Sequence, residues 1–182
     1  MKKLVLILAA LFIAIPAIAY QDVTPTDAYS LAASSPNVFI LDVRTVAEWT
    51  WVGHPGVNKS GAGSELEGKV VNISVLIDIN NELVENPFFI RSVKNMFQDK
   101  ENVTLITLCR SGGRSVTAAK ALEAAGYTNV MNMVTGFEGG KDGDGYRTLN
   151  GWKVDGLPYN NSSVGGYLLD FHGKGNGYGH YK

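Results

Sequence analysis

The residues able to do chemistry crowd into one stretch, VTLITLCRSGGRSVTAAKALEAAG, from Val103 to Gly126. Cys109 is the only cysteine of the chain. It ends a β-branched apolar run that reads as a buried strand. Arg110, Ser111, Gly112, Gly113, Arg114 and Ser115 follow, before an alanine-rich segment with helical spacing. In a parallel α/β sheet, ligands bind beyond the carboxyl ends of the strands, and Cys109 falls there. Gly112 and Gly113 permit positive φ, so successive backbone N–H groups can turn inward as an anion-holding nest. The helix N-terminus adds partial positive charge on the same side, and nearby arginines act in the same direction. These features describe a nucleophilic thiolate in an anion-binding loop. The bland alternative, a buried structural cysteine, needs neither the glycines nor the arginines. A Walker-type phosphate loop needs Lys-Ser/Thr after its second glycine, where this chain has Arg114-Ser115.

The elements that must hold this loop read along the chain as alternating strands and helices. TPTDAYSLAASSP predicts a first helix, with Thr24 as N-cap, Pro25 at N1, Asp27 at N3 and Pro36 enforcing the stop. NVFILDV is a short continuous apolar run, as expected of a strand buried on both faces. TVAEWTW suggests a brief helix before GHPG turns the chain. The polar, Gly/Ser-rich NKSGAGSELEGK reads as a surface loop, and VVNISVL as a strand. ENPFFIRSVKNMFQD carries Phe88, Val93, Met96 and Phe97 at helix-like spacing. Ser115 can cap the helix after the cysteine, whose Ala118, Ala121, Leu122 and Ala125 share a face and which Gly126 ends. TNVMNM reads as another strand. The alternation predicts an α/β fold with a mostly parallel central sheet flanked by helices.

The start of the chain, MKKLVLILAALFIAIPAIAY, reads as an export signal: Lys2 and Lys3, an apolar segment from Leu4 to Ile15, then the small-residue site Ala17-Ile18-Ala19. Cleavage after Ala19 leaves residues 20–158 as the folded domain and 159–182 as a loosely held Gly/Asn-rich tail, with no stable membrane insertion. An exported chain with an unpaired cysteine suggests a reactive thiol or an intermolecular bond. A formal net charge of −1, with no basic stripe interleaved with aromatics, argues against nucleic acid as partner.

The segments LDVRTVAEW, GHPG, VVNISV, LCRSGGRSVTAAKALEAAGYTNVMNMVTGFEGG and GWKVDGLP resemble the successive motifs of the rhodanese family of sulfurtransferases. The most specific part is the Cys-x-x-Gly-x-Arg loop followed by Ser and the Ala-rich helix. The resemblance implies a rhodanese-like domain over residues 20–158. It further implies that Cys109 takes a sulfane sulfur as a persulfide and passes it to a nucleophile. Cys109 to Arg114 spans six residues, the length found in the family's sulfurtransferases. Related phosphatases and arsenate reductases carry one residue more, in a wider cradle. Asp42 and Arg44 match a family motif near the loop, either as a structural ion pair or as substrate contacts. Arg114 matches the loop arginine, free to bind an oxyanion or to brace the loop through Glu48 or backbone carbonyls. Arg110 suits attraction of anions. His54 matches a family position where a turn-stabilising role fits best. Residues 58–69 intervene where the family runs directly into the next strand, and Asp142 and Asp144 faintly resemble a calcium loop without its closing Glu.

The expected activity is therefore transfer of sulfur from thiosulfate or polysulfide to a thiol or cyanide-like acceptor, a protein among the options. The resemblance implies no cofactor and no metal, and the style of the signal segment leads to the expectation of a bacterial periplasm. The alternatives are a sulfane-sulfur carrier with little turnover and, less favoured by loop length, a phosphatase or arsenate reductase.

Overall fold

The computed structural model describes residues 20–160 and 167–168. The expected signal at 1–19 and the rest of the tail lie outside the described residues. The strands are β1 (Gln21–Val23), β2 (Val38–Asp42), β3 (His54–Pro55), β4 (Val70–Asn72), β5 (Leu76–Ile79), β6 (Glu82–Glu85), β7 (Thr104–Leu108), β8 (Asn129–Met133), β9 (Tyr159–Asn160) and β10 (Tyr167–Leu168). The α-helices are α1 (Pro25–Ser34), α2 (Val46–Val52), α3 (Phe89–Met96) and α4 (Gly113–Ala124). The central sheet runs β1-β8-β7-β2-β4-β10, and each of its pairings is parallel. The α/β expectation holds.

Alternation along the strands divides the core in two. Ile40, Ile106 and Leu108 point to a layer with Ala28 and Ala32 of α1, Trp49 of α2, Phe137 and Trp152. Leu41, Val71 and Leu105 point the other way, onto Phe89 and Val93 of α3 and Ala118, Ala119 and Leu122 of α4. Each such fully buried Leu or Ile contributes about 1.5–3 kcal/mol relative to exposure. From β2 the chain passes through α2 on one face to β4. From β7 it passes through α4 on the other face to β8. The adjacent strands β2 and β7 thus send their chains in opposite directions, which opens a crevice at their carboxyl ends. Asp42, paired in register with Leu108, and Cys109 lie at that crevice.

Local chemistry explains the helix starts. The Thr24 hydroxyl accepts from Asp27 N–H at 3.1 Å, with Pro25 as the first helical residue. At α2, Thr45 and Glu48 form a reciprocal capping box. At α4, Gly112 holds the N-cap position with φ 101°, and Gly126 ends the helix with φ 93°.

Several elements differ from the sequence reading. The helix after the cysteine begins at Gly113, so Ser115 lies in its first turn rather than capping it. The glycine takes the cap because the chain must reverse there with positive φ. VVNISVL is not one strand. Pairing ends at Asn72, whose amide bonds the carbonyls of Asp42 and Arg44, and the chain then forms the β5–β6 hairpin with Asn80 and Asn81 at positive φ. The loop at 58–69 is not wholly superficial: a short 3-10 turn, Ser64–Leu66, inserts Leu66 into the core at 1% exposure. In α3, Phe89 rather than Phe88 packs inward, and Phe88 stays 40% exposed. Beyond Pro158, β9 pairs antiparallel with β3, and β10 extends the sheet beside β4. Among the described residues no helix is long and apolar enough to cross a membrane.

Candidate active site

Cys109 follows the last residue of β7 and is 1% exposed. The Gly112 N–H donates to its Sγ at 3.1 Å. The buried Ser115 hydroxyl lies 3.4 Å from Sγ and 2.8 Å from the Gly112 carbonyl. That hydroxyl has one proton. Beside an S–H it donates to the carbonyl and accepts from sulfur; beside a sulfur anion it can turn and donate to Sγ. Thr107 Oγ1 donates toward the Ser115 and Met131 carbonyls, at 3.1 and 3.0 Å, which ties β7 to α4 and β8.

A second loop, after β8, backs the first. Phe137 N–H donates to the Cys109 carbonyl at 2.8 Å, and Glu138 and Gly139 donate to that of Arg110 at 2.9 and 3.1 Å. The two backbones approach so closely that a Cβ on Gly112 would overlap the Val134 carbonyl. One on Gly136 would lie 2.7 Å from the Arg110 carbonyl carbon. Glycine is required at both points by space as well as by positive φ. Beneath them, Asp42 and Arg44 form a fully buried ion pair, Nη2 to Oδ2 at 2.5 Å. Arg44 also donates to the Gly53 carbonyl at 2.7 Å, and its guanidinium lies 4.2 Å from the Phe137 ring centre. The Val43 N–H reaches the Leu108 carbonyl at 2.8 Å. This pair is a floor joining β2, the β3 turn and the second loop, buried as Cys109 itself is.

Arg114 turns both terminal nitrogens onto Glu48, at 2.7 and 2.6 Å. Hydrogen bonding to Glu48 holds its guanidinium still more firmly protonated. Burial opposes this, and negative charge at Glu48, Cys109 and Asp42 assists. On Glu48, burial is the largest single influence and pushes the carboxyl up. The hydrogen bonds from Arg114 and Thr45 and the Arg114 charge outweigh it and bring the pKa to about 2. Arg110, Ser111 and Gly113 are exposed on the rim, and the Arg110 side chain has no ion pair among the described residues. The structure thus brings Cys109 together with Gly112 and Ser115, braces the loop through Arg114, and leaves Arg110 facing outward. His54 is buried and stacked on Trp49, ring centres 3.8 Å apart, with Nδ1 2.9 Å from the Pro55 carbonyl. Asp142 is engaged by the Asp144 and Tyr146 N–H groups and the Thr148 hydroxyl, closing a turn on itself. Among the described residues no group of three or more His, Cys, Asp or Glu could hold a metal ion.

A family model described as the rhodanese-like domain matches residues 24–142. The chain belongs to the rhodanese-like domain family. The uncharacterized protein RC0915 of Rickettsia conorii is 33% identical over 139 residues, covering 76% of this chain and 96% of its own. Rv0390 from M. tuberculosis, a solved structure, is 32% identical with a TM-score of 0.66, covering 79% of this chain and all of its own. The polysulfide-sulfur transferase homodimer from Wolinella succinogenes shares the fold, at 20% identity and TM-score 0.51 over 78% of each chain.

In this rhodanese-like domain, sequence reasoning left three supports of the loop unassigned. Thr107 sits one position before the strand's last residue, where an inward hydroxyl in an apolar run is itself a signal. Val134 and Gly136 belong to VTGFEGG, whose glycines mark a close backbone approach but not its partner.

Proposed function

We propose that this domain is a sulfurtransferase that carries sulfur on Cys109, drawing it from thiosulfate or polysulfide. The single observation carrying this reading is the environment of Sγ: one backbone N–H and one turnable hydroxyl, in a six-residue loop at the switch point of a parallel sheet. In the first step the Cys109 thiolate attacks the outer sulfur of thiosulfate. The donor S–S bond breaks and sulfite leaves with the bonding pair. The protein now holds Cys109–S–S⁻, whose charge the Gly112 N–H and the Ser115 hydroxyl stabilise. In the second step a cyanide or thiolate attacks the terminal sulfur, and the electron pair of the breaking S–S bond returns to Sγ. Charge and electrons balance without a redox partner.

Arg110 attracts the anionic donor, while Arg114 holds the loop through Glu48. Phosphatase or arsenate reductase chemistry draws less support, because the arginine fork that would clasp a tetrahedral oxyanion is taken by Glu48. The polysulfide-sulfur transferase name of the Wolinella protein accords with the donor class. Export completes the proposal: residues 1–19 act as a cleaved signal, and the mature chain works in a bacterial periplasm.

The test is steady-state thiocyanate formation from thiosulfate and cyanide by the purified mature chain, beside Cys109→Ser. Many turnovers per thiol, abolished in the variant, are expected. A single stoichiometric release would make the protein a carrier, and unchanged activity in Cys109→Ser would refute the reading.

A further inference from the structure

Three exposed side chains sit on three elements tied to the cysteine loop, and the transfer of a single sulfur atom uses just one of them. Arg110 lies on the loop itself, exposed and without an ion pair among the described residues. Val134 belongs to the backing loop, its carbonyl set against Gly112, and remains 37% exposed. Trp51 is on α2, three residues after Glu48, the partner of Arg114. Residues three apart share a helix face, and helical side chains lean toward the N-terminus. Trp51 therefore shares the helix face of Glu48, the residue that bridges to Arg114. It is 83% exposed, whereas Trp49 and Trp152 are buried at 4% and 0%.

The other exposed apolar side chains, such as Ile79 and Leu83 on the β5–β6 hairpin, have no such link to the loop. Trp and Arg are the residue types that most often dominate protein–protein contacts. The charge at the rim is one-sided as well. Glu48 neutralises Arg114, whereas Arg110, next to Cys109 in the chain, has no ion pair among the described residues. Glu138, half-buried, donates its backbone N–H to the Arg110 carbonyl and forms no ion pair among the described residues.

We propose that the sulfur acceptor of this site is a cysteine in an acidic, apolar-flanked segment of another polypeptide, which docks on Trp51, Val134 and Arg110. The inference rests on the sulfurtransferase reading and names its acceptor. The acceptor thiolate attacks the terminal sulfur of Cys109–S–S⁻, the old S–S bond breaks, and its electron pair returns to Sγ. The acceptor leaves as R–S–S⁻.

The full mature chain, loaded with thiosulfate, is mixed under single-turnover conditions with three acceptors. These are free cysteine, a heptapeptide with one Cys flanked by Leu and Glu, and its Lys counterpart. Rates are compared per thiolate, at low and high salt. The acidic peptide is expected to react about tenfold faster than the basic one at low salt, with the advantage shrinking as salt rises. Trp51→Ala should slow the acidic peptide about tenfold, the effect of losing a docking hot spot. The variant should leave loading and transfer to free cysteine within about twofold of the parent, since Trp51 lies outside the chemistry. Equal rates for the two peptides, a basic preference, or an acidic-peptide rate indifferent to Trp51→Ala would overturn the docking proposal while leaving the sulfurtransferase reading intact. Failure to load would instead remove that reading, and this inference with it.

Discussion

Replacing Glu48 by Gln isolates the contribution of the bridge that braces the loop. The amide keeps the capping box with Thr45, since Gln serves at that position as Glu does, but it cannot ionise opposite Arg114. In the folded chain the Glu48 pKa falls from its ordinary 4.5 to about 2. At about 1.4 kcal/mol per unit, that difference amounts to roughly 3 kcal/mol before screening. The two side chains are 20% and 21% exposed, and screening by water brings the expected contribution to about 1–2 kcal/mol. Because the folded-state value is depressed, this stability is fully present above about pH 4.5 and is lost as pH falls toward 2. Gln mimics the protonated carboxyl at every pH. Urea unfolding of both proteins between pH 7 and pH 3 should show the parent more stable by about 1–2 kcal/mol at neutrality, with the gap narrowing in acid. A gap that persists unchanged into acid, or none at pH 7, would refute the assignment of the bridge as a brace.

Gly112→Ala should destabilise the domain by about 2–4 kcal/mol and remove most transfer activity, because its Cβ meets the Val134 carbonyl at a positive φ. Gly113→Ala, with open space around the added methyl, should unfold at the same urea concentration or slightly higher. Arg110→Ala should raise KM for thiosulfate several-fold and flatten the salt dependence of kcat/KM; kinetics at two ionic strengths would reveal a variant that keeps the parent's salt slope.

Much of the site was legible because its signals are local. An apolar run stopping at Cys109, two glycines and an amphipathic alanine-rich segment define a strand, a reversal and a helix within one short window. The capping residue Thr24 marks a helix start in the same way. Distant partners wrote weaker signals. Glu48 was one of several possible partners for Arg114, and only folding α2 beside α4 selects it. Leu66 is a single apolar side chain in a polar segment, so no periodicity announces that it fills the core. The hairpin that begins at the end of VVNISVL escaped notice because its Asn80-Asn81 turn lacks the usual glycine. The reason β4 stops at Asn72, an amide caught by the Asp42 and Arg44 carbonyls, lies 30 and 28 residues away in the chain. Phe88 and Phe89 are adjacent, and packing against the sheet decides which one turns inward.

The claim on which the account depends is that Cys109 takes up sulfur covalently, and intact mass spectrometry of the mature chain after mixing with thiosulfate or polysulfide tests it most directly. With a single cysteine in the sequence, an added mass has one thiol to report on. A gain of one sulfur atom, reversed by cyanide and absent in Cys109→Ser, is the predicted result. An unchanged mass with both donors, or the same gain in Cys109→Ser, would contradict it.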